Sequence, residues 1–376
     1  MKLLKFIFIL FLSSNLFSQV DNTYLYQNQY IDTVEEEKPY FKLQGLGYQK
    51  DIENFGPMID GYTIFGFQFN PQLGYQISKN VCIEGGVYLR KDFGYKDFNE
   101  VLPTFSIRYH KKDFKMIFGN LDGSLNHGLA EPVYAFERVM TNRMETGIQY
   151  ILSKKKIDAD VWIDWQNVLY RLVDDYERLV VGVSVNAFKV NTEKFEFKTI
   201  IQGTGRHNGG QIARGGYIGY DREGVYTNLN GAAGVYFKYK LNRKHLKGIY
   251  FDTRYIGNRN NKRDSIVYKR YGDGMLANVG VHAFGSDIML SYWYGSDYTS
   301  EFGGALYSSE SNSITYAGTY KSYRNLLILR LTTKIKLAKE VYLTLRTEPQ
   351  WDIDFQRFNC DFGLYLNFDK QIFLKK

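Results

Sequence analysis

The stretch RMETGIQYILSKKKIDADVWIDWQN, residues 143–167, alternates apolar and polar residues on both sides of a lysine-rich turn at 153–156. After the turn the odd positions hold Ile157, Ala159, Val161, Ile163 and Trp165, and the even positions hold Asp158, Asp160, Trp162 and Asp164. This period of two predicts strands with one apolar and one charged face. Such hairpins, repeated along a chain, are typical of a transmembrane β-barrel with an apolar outer surface.

The first eighteen residues predict a secretory signal peptide. Lys2 and Lys5 precede an apolar run over 6–12, and Ser18 suits the residue before the cleavage site. Residues 19–39 show no strand period and predict a periplasmic N-terminal extension; the alternative is a segment that enters the barrel or contacts a partner. Residues 40–376 predict the outer-membrane barrel.

Composition supports a barrel and excludes other classes. Aromatic residues make up 17% of the chain, with 32 Tyr and 27 Phe, as aromatic girdles at two membrane interfaces require. After the signal, no apolar run is long enough for a transmembrane helix. The net charge is +8 and the basic residues are scattered along the chain, so no nucleic-acid partner is predicted.

Seven tight turns divide residues 62–349 into hairpins, near 78–80, 111–112, 154–156, 191–193, 242–245, 285–286 and 338–340. With one strand at 40–48 and one at 361–368, these predict an all-β, single antiparallel barrel of about sixteen strands (fourteen to eighteen, since 213–222 and 311–321 could also be strands). The short turns are predicted to be periplasmic and the long loops extracellular. A barrel of this size encloses an aqueous lumen.

Side chains with the parity of Asp160 are predicted to face the lumen, where they could contact a solute. The candidates are Trp162, Asp158, Asp160, Asp164, Trp293, Arg254 and Arg346. Because both charge signs occur, no strong ion filter is expected. The two tryptophans could stack on a flat solute, but packing against an inward-folded loop is favoured.

The loop 120–143 contains apolar residues that need burial, and it is predicted to fold into the lumen as a constriction. Its polar candidates are Asn126, His127, Glu131, Glu137 and Arg138. Ser124, Asn126 and His127 are only weakly similar to the Ser/His/Asn arrangement of outer-membrane phospholipases, because no serine and orienting group can be placed on adjoining strands. No catalytic residue, cofactor or metal site is therefore predicted, and the chain is expected not to be an enzyme.

Two further segments support specific expectations. Residues 203–216 are rich in glycine and predict a flexible outer loop that could contact lipopolysaccharide phosphates. Cys82 and Cys360 fall at opposite ends of the predicted barrel, farther apart than a disulfide allows, so both are expected to be free thiols.

The chain resembles the porin-like outer-membrane β-barrel proteins of Bacteroidota. The resemblance rests on the signal end Leu16-Phe17-Ser18-Gln19, on strands rich in Tyr, Phe, Lys and Asn, and on the segment NHGLAEPVY at 126–134. It implies a place in the outer membrane of a Gram-negative bacterium. Such barrels commonly end in an aromatic residue, so the last strand ends either at Phe368 or at Phe373.

Two functions follow as hypotheses. The first is a porin for passive diffusion of small polar solutes, narrowed by the loop at 120–143. The alternative is a non-conducting barrel that serves as an accessory subunit of a secretion or barrel-insertion complex, with membrane-protein partners. Outer-membrane lipid and lipopolysaccharide are expected partners in either case.

Overall fold

The computed structural model describes residues 25, 37–123, 127–170, 175–209, 225–241, 243–261 and 270–374. Sixteen antiparallel strands in these ranges form one closed barrel. The strands are β1 (Lys38–Glu53), β2 (Tyr62–Ser78), β3 (Val81–Asp92), β4 (Glu100–Lys111), β5 (Phe114–Asn120), β6 (Thr146–Lys154), β7 (Ile157–Asn167), β8 (Glu177–Asn191), β9 (Phe195–Gly209), β10 (Tyr226–Lys240), β11 (Leu246–Asn260), β12 (Tyr271–Ala283), β13 (Ser286–Ser296), β14 (Tyr323–Ala338), β15 (Val341–Asp352) and β16 (Arg357–Phe373). The predicted fold class is confirmed.

Each strand pairs with its neighbours in sequence, and β16 pairs with β1 to close the barrel. The closing register runs from Tyr40 opposite Phe373 to Glu53 opposite Cys360. The last strand therefore extends to Phe373 rather than ending at Phe368. Cys82 and Cys360 are free thiols, as expected.

All seven predicted tight turns separate paired strands, whereas the outer ends of several strands are longer than predicted. β1 begins at Lys38 at its periplasmic end and continues at its outer end to Glu53. β9 includes 204–209 at its outer end, which were predicted to be a loop. Glycines and polar residues on both faces hide the period of two in 203–209, yet the backbone still pairs there, with Tyr226 opposite Asn208. The possible strand at 213–222 lies outside the described residues, and 311–321 forms only a bridge between Glu310 and Tyr320.

The alternation of β7 places its apolar side chains outside and its acids inside. Val161, Ile163 and Trp165 are 40–44% exposed, whereas Asp160 and Trp162 are buried in the lumen. This pattern continues around the barrel and gives it an apolar outer belt, as a bilayer-spanning barrel requires. Helix α1 (Arg138–Thr141) is a single turn, and no helix in the described ranges is long and apolar enough to cross a membrane.

Leu25 is the one residue described before Glu37. It is buried and packs with residues of the barrel interior: Leu46, Tyr48, Phe136, Val139, Met140 and Tyr365. The remainder of the predicted signal peptide and N-terminal extension up to residue 36 lies outside the described residues.

Candidate functional site

Two outer loops fold into the lumen and pack on each other. We call them together the lumen plug: 127–145 of the β5–β6 loop, and 297–322 of the β13–β14 loop. The backbone N–H of Ala135 donates to Phe302 O at 2.7 Å, and Tyr298 Oη donates to Pro132 O at 2.7 Å. The first loop was predicted to enter the lumen. The second was predicted only to lie at the extracellular end of the barrel, and its inward fold was not predicted.

The contact between the two plug loops requires a glycine at 303. A Cβ atom built on Gly303 would lie 1.8 Å from the backbone oxygen of Pro132, so a larger residue would clash with the backbone. The N–H of the next residue, Gly304, donates to Glu131 O at 2.9 Å. The close approach of two backbones is what a glycine permits.

His127 is the centre of the first plug loop. Its Nδ1 lies 2.8 Å from Asp160 Oδ2 and its Nε2 lies 2.7 Å from Glu145 Oε2. The ring also stacks on Trp162, with centroids 3.5 Å apart and planes 7° apart. Tyr134 donates a short hydrogen bond to the other oxygen of Glu145. The imidazole is thus held on both nitrogens and on one face.

These contacts fix the protonation of His127. Burial alone would lower the pKa of His127, but the adjacent carboxylates of Glu145 and Asp160 outweigh it and raise the pKa to about 10. The ring is therefore an imidazolium at neutral pH, with both N–H groups donated to carboxylates. With Nδ1 against Asp160 and Nε2 against Glu145, His127 ties the first plug loop to β7 and to the start of β6.

A second charged cluster fixes the plug to the opposite wall. Glu131 of the plug accepts hydrogen bonds from the guanidinium groups of Arg330 and Arg346. Both arginines also bond Glu348 on β15, with Arg330 Nε 2.7 Å from Glu348 Oε1. Tyr307 of the second plug loop donates to Glu131 at 3.0 Å. Because removing one partner would leave buried charge unpaired, the cluster holds the plug firmly.

Arg254 and Gln202 form a third attachment. Arg254 makes two hydrogen bonds to Asp252, at 2.9 and 2.6 Å, and one to Gln202 Oε1 at 3.0 Å. Gln202 in turn accepts from the N–H of Ala130 at 3.0 Å and donates to Gly128 O at 2.6 Å. Arg254, predicted as a solute contact, thus supports the plug.

The other predicted lumen residues face inward and are paired. Asp158 forms an ion pair with Lys189 at 2.6 Å near the periplasmic end. Asp164 accepts from the N–H of Thr146 at 2.8 Å. Trp293 is fully buried and donates from Nε1 to Tyr307 O at 3.1 Å. Both predicted lumen tryptophans therefore pack against plug loops.

The remaining loop candidates lie near the outer end of the plug. Glu137 accepts from Tyr62 Oη at 2.6 Å and from Lys50 Nζ at 3.1 Å. The guanidinium of Arg138 lies 4.7 Å from the centroid of the Tyr134 ring and 4.8 Å from that of Phe302. Asn126 lies outside the described residues.

A different pair of side chains has the geometry of a nucleophile and a base. His207 and Thr227 are opposite each other on β9 and β10, with His207 Nδ1 2.8 Å from Thr227 Oγ1. Both belong to the outward-facing positions near the outer ends of their strands, because Ile201 and Leu229 of the same parity are 54% and 44% exposed. We call them the rim pair. A hydroxyl in hydrogen-bond reach of an imidazole is the basic unit of nucleophilic acyl transfer.

Small and polar residues neighbour the rim pair. A Cβ at Gly209 would lie 2.5 Å from His207 Nε2, so any larger residue there would crowd this nitrogen. The backbone N–H of Thr227 donates to Asn261 Oδ1 at 3.1 Å, which fixes the start of β10. Within the described ranges no carboxylate bonds to His207, and the pair there consists of one imidazole and one hydroxyl.

Apolar and basic side chains flank the rim pair on the outer surface. Val181, Val225 and Leu229 are 39–44% exposed and offer apolar contact on the barrel side. Arg259 is directly opposite Leu229 on β11 and is exposed, and exposed Arg270 stacks over Tyr271 at 5.4 Å. The outer rim thus combines an apolar wall, a hydroxyl–imidazole pair and cationic groups.

Sequence reasoning missed the rim pair because it assigned His207 to a flexible outer loop at 203–216. A signal was present in the sequence. His207 occupies an odd position like the outward-facing Phe195, Phe197, Thr199 and Ile201, and the alternation continues through Gly203 and Gly205. The part of the predicted lipopolysaccharide contact at 210–216 lies outside the described residues.

Solved structures share the architecture at low sequence identity. The crystal structure of OprD from Pseudomonas aeruginosa matches with a TM-score of 0.50 and 11% identity, over 90% of this chain and 97% of that one. A loop-deletion mutant of OmpT from Vibrio cholerae matches with a TM-score of 0.49 and 9% identity, over 89% and 100%. At this identity the OprD likeness shows the fold alone, that of an outer-membrane barrel. A comparison with curated protein sequences returns no match.

The model of one protein family matches almost the whole chain. This family is described as Lipid A 3'-O-deacylase-type, and the match covers residues 31–376. Its description denotes an enzyme activity, so the prediction that the chain is not an enzyme is wrong. With more than half of its length matched, the chain belongs to the Lipid A 3'-O-deacylase-type family.

Proposed function

We propose that this protein hydrolyses an acyl ester of lipid A at the outer rim of the barrel, with the rim pair as its catalytic residues. The observation that carries the proposal is the 2.8 Å hydrogen bond between His207 Nδ1 and Thr227 Oγ1 on the membrane-facing surface. Lipid A lies in the bilayer outside the barrel, so its esters meet this surface rather than the lumen. Family membership supports the reaction class.

The chemistry follows from the pair. His207 accepts the Thr227 proton as Oγ1 attacks the ester carbonyl, and then gives that proton to the departing sugar oxygen, which leaves as a hydroxyl. Water, deprotonated by the same imidazole, next hydrolyses the acyl-threonine, which releases a fatty acid and restores the hydroxyl. Arg259 and Arg270 suit the anionic phosphates of lipid A, and Val181 and Leu229 suit its acyl chains.

The test is mass spectrometry of lipid A after incubation with purified protein in mixed micelles. The wild type should convert lipid A to a product that lacks one acyl chain. Thr227→Val keeps the side-chain volume and removes the hydroxyl, and should reduce the rate by at least about 100-fold. Thr199 lies on the outward face of the neighbouring strand β9, farther from the rim. Thr199→Val should therefore keep the wild-type rate. Equal rates for the Thr227 variant and the wild type would reject Thr227 as the nucleophile.

A second candidate function is passive diffusion of small polar solutes through the lumen. It is supported by buried polar atoms of the lumen that have no protein partner, which include both side-chain polar atoms of Asn278, Thr344 Oγ1 and Asn367 Oδ1. Buried polar groups of this kind require water. A hydrated lumen beneath the plug would conduct only where the plug leaves a passage, and single-channel recording in planar bilayers tests this.

A further inference from the structure

A second feature of the outer surface lies far around the barrel from the rim pair, on β1, β14, β15 and β16. It is a depression of about 380 Å³, which we call the wall pocket. This volume falls within the range of small-molecule sites. Its lining residues are Gln49, Asp51, Leu331, Thr333, Leu345, Arg346, Thr347, Phe362, Gly363 and Leu364.

The wall pocket faces the bilayer. Phe362, Leu364 and Leu345 are 53%, 42% and 40% exposed and belong to the apolar belt. Asp51 is directly opposite Phe362 in the register of β1 and β16. Thr347 is opposite Phe362 in that of β15 and β16, so all five share the outward face. The pocket is therefore continuous with the surface that contacts lipid.

Short polar side chains create the depression. On the outward face of β14, Thr333 follows the larger Leu331, and on that of β15, Thr347 follows the larger Leu345. The two threonines fill less space than the leucines beside them. Asp51 accepts a hydrogen bond from Thr63 Oγ1 at 2.6 Å, which stabilises one carboxylate oxygen. A carboxylate on the lipid face of a barrel is destabilising unless a donor meets it. The site thus favours a ligand that donates a hydrogen bond to the Asp51 carboxylate.

The charges of the pocket select the kind of ligand. Among the described residues no Lys or Arg pairs with Asp51, and the guanidinium of Arg346 is bonded to Glu131 and Glu348 on the lumen side. An anionic phosphate would be repelled by Asp51. A hydroxyl group on an alkyl chain would donate to Asp51, while the chain packs on Leu331 and Leu345.

We propose that the wall pocket binds the hydroxylated acyl chain of an outer-membrane glycolipid, with Asp51 accepting the hydroxyl hydrogen bond. The site is separate from the rim pair, and its occupation does not depend on ester cleavage. The bound lipid would lie directly against the barrel wall, beside the closing seam of β1 and β16.

The test uses the full chain in phosphatidylcholine nanodiscs and native mass spectrometry. The probes are glucosamine amides of β-hydroxymyristic and of myristic acid, which contain no ester and cannot be hydrolysed as esters. The wild type should retain the hydroxylated probe roughly tenfold better, the ratio expected for one hydrogen bond to a charged group. Asp51→Ala should remove this preference and keep ester hydrolysis.

Two further variants make the outcome decisive. Thr333→Leu combined with Thr347→Leu fills the depression and should abolish retention of both probes, whereas Thr199→Leu, a threonine on the lipid face of β9, should change nothing. Equal retention of the two probes by the wild type would overturn the proposal, as would undiminished retention by the filled variant. A stable protein dimer that only the filled variant loses would assign the pocket to protein contact instead.

Discussion

At the scale of single residues, the plug depends on the charge of His127. His127→Gln should lower the free energy of unfolding by about 3–5 kcal/mol, because Glu145 and Asp160 would remain buried without a cation. Urea unfolding of the refolded barrel in micelles measures this. His245→Gln, an exposed position in the β10–β11 turn, serves as the matched control, with an expected change within about 0.5 kcal/mol. An equally small loss for both variants would contradict the assignment.

The same residue predicts a pH dependence. Its folded pKa of about 10 lies above the unfolded value near 6.5, so its stabilising contribution is complete below about pH 6.5 and declines as the pH rises toward 10. The difference in unfolding free energy between the wild type and His127→Gln should therefore shrink over this interval. A difference that stays constant from pH 6.5 to 10 would show that the ring is neutral in the fold.

Which residues face the lumen could be predicted, but not which of them meet. The period of two placed Asp160 and Trp162 inside, because parity is a local property of a strand. Their contact with His127 depends on how a loop folds back across the lumen, and His127 and Asp160 are 33 residues apart. The rim pair was missed for a related reason, since hydrogen bonding across strands joins positions 20 residues apart.

At the scale of elements, the plug should control conductance. Replacing residues 122–143 with a short Gly-Ser linker leaves the pair Asn120–Thr146 intact and removes the first plug loop. We expect larger single-channel conductance than in the wild type, because the lumen of a sixteen-stranded barrel is otherwise water-filled. Shortening the β15–β16 turn at 353–356 is the control and should not alter conductance. Unchanged conductance in the deletion variant would mean that other groups close the lumen.

The elements themselves could be predicted better than their ends. Tight turns are marked by Lys, Asn and Gly between two alternating runs, so all seven were placed correctly. The second plug loop was missed although Tyr298, Phe302 and Tyr307 give it the same apolar content that identified the first one. Its inward fold follows from the need to bury these rings, an argument that applies equally to both loops.

At the scale of the whole molecule, closure depends on the last residues of β16. Truncation after Phe368 would remove the five pairs from Gln44–Asp369 to Tyr40–Phe373. The truncated chain should not form a closed barrel, because an unpaired edge in lipid leaves backbone groups unsatisfied. Loss of heat-modifiable mobility on electrophoresis is the readout, and removal of 374–376 alone should preserve it. A truncated chain that keeps this mobility would show that the remaining seam suffices.

The architecture could be predicted from sequence because a barrel repeats one simple pattern many times. The activity could not, because the search for chemistry was confined to the lumen and to residues adjacent in sequence. The outer surface was treated as uniform, whereas the fold places polar groups on it at the rim pair and the wall pocket.

The most direct test of the account compares two histidines in one assay, the release of fatty acid from lipid A by protein reconstituted in liposomes. His207→Ala should reduce the rate by about 10²–10⁴-fold, as removal of a general base does. His127→Gln should lower stability yet keep at least about a third of the wild-type rate under folding conditions. Full activity in the His207 variant, with activity lost in a folded His127 variant, would contradict the account and place the chemistry in the lumen.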